Sequence, residues 1–163
     1  MRIAVIVATT CLLSACVSGP KPLRGEFSNL SPTQASKENT VNAKVRWGGR
    51  IVSVNNQTDR TCFEIVATYL GVGARPRTTD TSEGRFIACR NGFYDPAVFK
   101  AGREITVTGA IVKFENGKVG EYDYRYPVLT ADVVYLWPER RNIERAVDRP
   151  FFMWSGFHHR IHW

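Results

Sequence analysis

The segment TCFEIVATYL, residues Thr61 to Leu70, decides the fold class, because its partner can be found by pattern alone. Phe63, Ile65, Ala67 and Tyr69 share one parity, as in a strand that shows alternate side chains to opposite faces. Downstream, EGRFIAC (Glu83 to Cys89) places Phe86 and Ala88 in the same alternation. In the antiparallel register that sets Cys62 opposite Cys89, Phe63 faces Ala88, Ile65 faces Phe86 and Ala67 faces Gly84. A slip of one residue would destroy both the apolar match and the cysteine match. Directly opposed residues have Cα atoms about 4.5–5.5 Å apart, which suits a disulfide. Two buried free thiols are the alternative. Between the segments, GVGARPRTTDT (Gly71 to Thr81) is a basic, Gly-rich loop carrying Arg75 and Arg77.

Working outward, Lys44 to Val54 (KVRWGGRIVSV) puts Val45, Trp47, Gly49 and Ile51 on one face, after which Val52 and Val54 take the other parity. The switch follows a Gly pair, which predicts a bulge or sharp coil. Asp95-Pro96 reads as a helix N-cap followed by Pro at the first helical position, and Gly102 closes a helix of one or two turns. Glu104 to Phe114 is a long strand that changes parity around Gly109. Asn116-Gly117 predicts a type I′ hairpin. Lys118 to Tyr126 returns with Tyr122, Tyr124 and Tyr126 on one face, Pro127 breaks the strand, and Val128 to Trp137 is the last apolar strand. The expected fold is all-β, a small five- to six-stranded OB-like Greek-key barrel with one short helix over residues 44–138. A two-sheet sandwich is the alternative.

The chain has 163 residues, 44% hydrophobic and 23% charged, with 22 Lys plus Arg against 15 Asp plus Glu. That composition excludes a large multidomain enzyme or a transporter, and the net charge of +7 suits an anionic partner. Residues 1–15 read as a signal peptide, with Met1-Arg2 before an apolar run from Ile3 to Leu13 that is too short to span a bilayer. The run ends in Leu13-Ser14-Ala15-Cys16, which resembles the bacterial lipobox. In lipoproteins that match it, the Cys thiol is diacylglycerylated, the leader is cut before it, and the new amine is acylated. Two or more acyl chains anchor stably. Val17, not Asp, follows Cys16, which by analogy favours export to the outer membrane. Residues 16–43 read as the lipidated Cys and a flexible linker, polar and interrupted by Pro20, Pro22 and Pro32. Residues 139–163 read as a short charged helix and an aromatic tail holding all three histidines, His158, His159 and His162.

VRWGG (Val45 to Gly49), GRF (Gly84 to Phe86), GFYDP (Gly92 to Pro96), AGR followed by TVTG (Ala101 to Gly109), GEYDYRYPV (Gly120 to Val128) and Leu136-Trp137 come in this order after the lipobox. Together they resemble the Slp family, the starvation-inducible outer-membrane lipoproteins, over roughly residues 16–138. The resemblance implies an outer-membrane lipoprotein; the function expected here is that of a non-enzymatic structural or stress-related envelope protein, lipid-anchored through Cys16 and facing the periplasm. It supplies no catalytic residues, and it covers neither the Cys62/Cys89 pair nor the tail.

Candidate chemistry is sparse. A redox role needs an exposed, low-pKa cysteine, usually in Cys-x-x-Cys, and the spacing here differs. His158, His159 and His162 lack the spacing and companions of a zinc site, so no metal or cofactor is expected. No Gly-x-Ser-x-Gly occurs, and the chain reads as no enzyme. Tyr122, Tyr124 and Tyr126 with the basic loop form the alternative, a stripe for a small ligand or glycan. Phe151, Phe152, Trp154 and Arg160 in the tail suit a membrane interface. The expected partners are the membrane, through lipidated Cys16, and anionic envelope components. A lipoprotein's location argues against nucleic acid.

Overall fold

In the computed structural model, which describes residues 19–140, the central hairpin takes the register that its side-chain pattern demands. Strand β2 (Arg60–Ala67) pairs antiparallel with β3 (Gly84–Asn91), setting Cys62 opposite Cys89, Ile65 opposite Phe86 and Phe63 opposite Ala88. Three further strands, β1 (Lys44–Asn56), β4 (Glu104–Val119) and β5 (Tyr122–Leu136), complete a closed barrel in the order β1-β2-β3-β5-β4. β3 and β5 run parallel over Ile87–Cys89 and Val128–Thr130, and the other neighbours are antiparallel. This is the five-stranded Greek-key barrel of the OB type rather than a sandwich.

Inward side chains fill the barrel: Val45, Trp47 and Ile51 from β1, Phe63 and Ile65 from β2, Phe86 from β3, Ile105, Val107 and Ile111 from β4, and Leu129 from β5. Each such burial stabilises by about 1.5–3 kcal/mol. Trp47 meets Phe86 edge-on at 5.2 Å, while Tyr94 and Phe99 pack on Phe63 at 5.4 Å each. β1 serves two neighbours at once, because Gly49 pairs with Ala67 of β2 and with Ile105 of β4. A Cβ there would stand 1.8 Å from the Val66 carbonyl oxygen, so only glycine lets the strands approach so closely. The parity of β1 changes at Val52, between Ile51 and Ser53, slightly beyond the glycine pair. The β4–β5 register shifts twice, at Thr108/Gly109 and at Ile111/Lys113.

Four local expectations are corrected. Residues 96–101 form a turn, not a helix. Asp95 Oδ1 does accept the Ala97 N–H at 2.8 Å, and the Asp95 carbonyl accepts from Val98 and Phe99. The segment then ends, because Phe99 is drawn under Phe63 and the Gly102 N–H is taken by the Ile51 carbonyl. The β4–β5 hairpin turns at Gly120-Glu121, not at Asn116-Gly117. Asn116 and Gly117 are paired with Arg125 and Tyr124, and Gly120, at φ 59, supplies the left-handed first loop position. Pro127 does not break β5. It lies opposite Phe114 beside the Ile111/Lys113 shift, where a missing N–H is tolerated.

The fourth correction concerns residues 19–43, expected as a flexible linker and found folded against the barrel. Lys21–Leu23 form a 3₁₀ turn, and α1 (Pro32–Glu38) is a two-turn helix. Ser31 Oγ accepts the Gln34 N–H while Gln34 Oε1 accepts the Ser31 N–H, a reciprocal cap ahead of Pro32. Leu23, Pro32 and Ala35 are buried. The barrel reaches out to this segment as well. Trp47 Nε1 donates to the Leu30 carbonyl at 2.7 Å, Arg46 Nη1 to that of Leu23 at 2.9 Å, and Thr33 Oγ1 donates to that of Glu83 at 2.8 Å. The polar composition therefore reflects a surface strap held by a few apolar anchors, not a tether.

Candidate functional site

The β2–β3 register brings Cys62 and Cys89 together as a disulfide, with Cα atoms 4.0 Å apart. The disulfide faces outward and floors a cleft of about 230 Å³, with Ile87 and Val128 as its apolar neighbours. Ser53, Asn55, Arg60, Lys113, Glu115 and Thr130 form its rim. Its charges are mostly spent on each other or on amides. Lys113 Nζ lies 2.6 Å from Glu115 Oε1, and Arg60 Nε donates to Gln57 Oε1 at 2.6 Å. At one end, Glu64 Oε1 accepts from Arg85 Nη1 at 2.7 Å and from the Tyr126 hydroxyl at 3.2 Å. Burial, followed by the charge of Glu64, pushes the Tyr126 phenol above its ordinary value. The cleft can hydrogen-bond a small polar molecule, but its half-cystines are not free nucleophiles.

The tyrosine stripe is not one platform. Tyr126 is buried, Tyr124 accepts the Arg85 N–H at 2.8 Å through its hydroxyl, and Tyr122 is exposed at the hairpin end. The rings of Tyr124 and Tyr126 meet at 4.8 Å and pack on each other. Nor does the structure join this stripe to the basic loop.

That loop is fastened to the opposite end of β4. Arg75 Nε and Arg140 Nε both pair with Glu104, at 2.7 and 2.8 Å. Arg75 also stacks over Trp137 at 5.4 Å, and Trp137 Nε1 donates to Thr106 Oγ1, which donates to the Ala74 carbonyl. Burial alone would raise the Glu104 carboxyl, but the hydrogen bonds and charges of Arg140 and Arg75 outweigh it and hold the group below its usual range. Arg75 is therefore committed to structure. Arg77 is exposed, and no acid pairs with it among the described residues.

Two polar clusters escaped the sequence reading. Arg85 lies diagonal to Glu64 in the cysteine-matched register, so that pair was within reach of the pattern. The Arg75–Glu104–Arg140 cluster joins three distant segments and leaves no periodic trace. Cys16, the interface residues Phe151, Phe152, Trp154 and Arg160, and the three histidines lie outside the described residues.

Comparison with known proteins agrees with this frame. The model of the outer membrane lipoprotein Slp family matches residues 13–162. An uncharacterized lipoprotein of Escherichia coli, YeaY, is 35% identical over 77% of this chain and 67% of its own length. An uncharacterized protein of Haemophilus influenzae is 36% identical over 94% of this chain and 84% of its own. The outer membrane protein Slp of Escherichia coli is 24% identical over 93% of this chain and 81% of its own. Ordered motifs, barrel and family match converge: the chain belongs to the outer membrane lipoprotein Slp family.

Proposed function

We propose that this chain is a non-enzymatic, structural or stress-related envelope protein, lipid-anchored through Cys16 and facing the periplasm from the outer membrane. The observation that carries the reading is how soon folded structure follows the lipobox. Gly19 already packs on the barrel's basic loop, with Val17 and Ser18 alone between it and Cys16. An extended chain of that length covers about 10 Å. The domain then rests at the bilayer surface, where a longer free tether would let it roam. The family match supports the envelope location.

Replacing the thiol tests the anchor. Wild-type protein should incorporate radiolabelled palmitate and fractionate with the outer membrane. Cys16→Ser should take up no label and remain as unprocessed precursor in the inner membrane. A Cys16→Ser protein of mature mass in the outer-membrane fraction would overturn the reading.

A further inference from the structure

Both ends of the described chain meet at one loop. At the first end, a Cβ added to Gly19 would stand 2.5 Å from the Gly73 carbonyl oxygen, so the two backbones touch. At the other end, Arg75 Nη2 donates to the Pro138 carbonyl at 2.7 Å and Arg140 Nη2 to the Pro76 carbonyl at 2.8 Å. The loop between these contacts is well braced. The Gly71 N–H donates to the Arg75 carbonyl, the Arg77 N–H to the Tyr69 carbonyl, both at 2.8 Å, and Leu70 bridges to Pro76. Yet the braced tip displays apolar surface to solvent: Val72 is 78% exposed and Tyr69 57%. Residues 19–25 and 69–78 contain Lys21, Arg24, Arg75 and Arg77 and no acid, while Glu26 and Asp80 lie just beyond them. Glu104 beneath the loop is already neutralised by Arg75 and Arg140.

From this convergence we infer that the 69–77 loop is a bilayer-docking face, with Val72 and Tyr69 entering the headgroup boundary and Arg77 meeting lipid phosphate. The partner is a lipid surface because both segments that leave this face carry lipid-seeking chemistry. One leads at once to Cys16. The other continues past Arg140 to Phe151, Phe152, Trp154, Phe157 and Trp163, together with Arg149 and Arg160. Aromatic rings settle at the membrane–water boundary, and cations are drawn to anionic headgroups. The first of these arguments rests on the lipid-anchored reading; the test does not.

The test uses the lipid-free chain 17–163 and vesicles of phosphatidylcholine with and without phosphatidylglycerol. Cys62 and Cys89 are paired, so Val72→Cys gives a single thiol for an environment-sensitive fluorophore. On anionic vesicles the label at position 72 should shift to the blue and resist an aqueous quencher, whereas the same label on Lys118→Cys should do neither. Arg77→Gln should weaken binding about fivefold at low salt, the effect of one cation near the surface. Arg60→Gln removes the same charge at the far end of β2 and should leave binding unchanged. No vesicle binding, binding without a change at position 72, or equal weakening by Arg77→Gln and Arg60→Gln would each overturn the proposal. Failure of palmitate labelling would refute the anchor and leave these outcomes as they stand.

Discussion

Glu104 shows how much one side chain can hold. It is 11% exposed, takes Arg75 on Oε2 and Arg140 on Oε1, and so ties the basic loop and the last described residues to the start of β4. Its carboxyl is held below the ordinary 4.5, so its contribution to stability is present above that value and is lost as pH falls through the folded-state pKa. Replacing the carboxylate with an amide leaves one neutral oxygen for two guanidinium groups and turns an NH2 donor toward the other. Glu104→Gln should cost about 1.5–3 kcal/mol at pH 7, the range for hydrogen bonds to charged groups. Urea titrations of both proteins at several pH values would show the gap closing below 4.5. A gap that stays constant to pH 3 would mean that the carboxylate charge is not what holds the loop. Glu83 has the opposite sign. Burial raises its carboxyl, so its ionisation weakens the fold at neutral pH, and that cost fades as pH falls below its folded-state pKa.

At the scale of elements, the strap formed by residues 19–43 is held by few points. α1 docks through Ala35, which is 0% exposed, and through Ser36 Oγ, which donates to the Arg125 carbonyl at 3.0 Å. Ala35→Arg would bury an unpaired charge at a cost of about 3 kcal/mol or more. The helix should therefore open roughly a hundredfold more often, and trypsin should cut at Lys37 correspondingly faster while the barrel stays intact. Equal cleavage rates would show that the strap is already loose. The sequence did carry a signal for α1, the Ser31-x-x-Gln34 box with Pro32 after the cap and Ala35 three residues on, but so few apolar anchors in a polar stretch outweighed it. β2 and β3 were legible because period-two burial and a matched cysteine pair fix a register jointly. The β4–β5 turn was not. Asn116-Gly117 has the local chemistry of a hairpin loop, but the cross-strand pairs Asn116–Arg125 and Gly117–Tyr124 carry the ladder two steps further, to Gly120. Of the candidate sites, the disulfide followed from register, while the cleft above it depends on how β4 and β5 curl over β2 and could not be read from any one segment.

Across the whole molecule, the Cys62–Cys89 bond closes a loop spanning 27 positions that includes the basic loop, so it restrains the unfolded chain as a unit. Replacing both cysteines with Ser should lower stability by about 3–4 kcal/mol in the loop-entropy account, seen as a lower urea midpoint of one cooperative transition. An unchanged midpoint would show that the barrel alone sets stability. β4 bears on a different global quantity. It starts at Glu104, beside the loop where both ends of the described residues gather, and runs 16 residues to Val119 at the far tip. At about 3.3 Å per residue the strand measures at most about 50 Å. If the loop seats on lipid as proposed, β4 would act as a ruler standing on the membrane, and the residue count of the β4–β5 ribbon would set a ceiling on the height of exposed Tyr122 above it. Trimming two residues from each strand of that ribbon would then lower the ceiling by about 7 Å, so strand length would set how far the hairpin tip stands from the lipid.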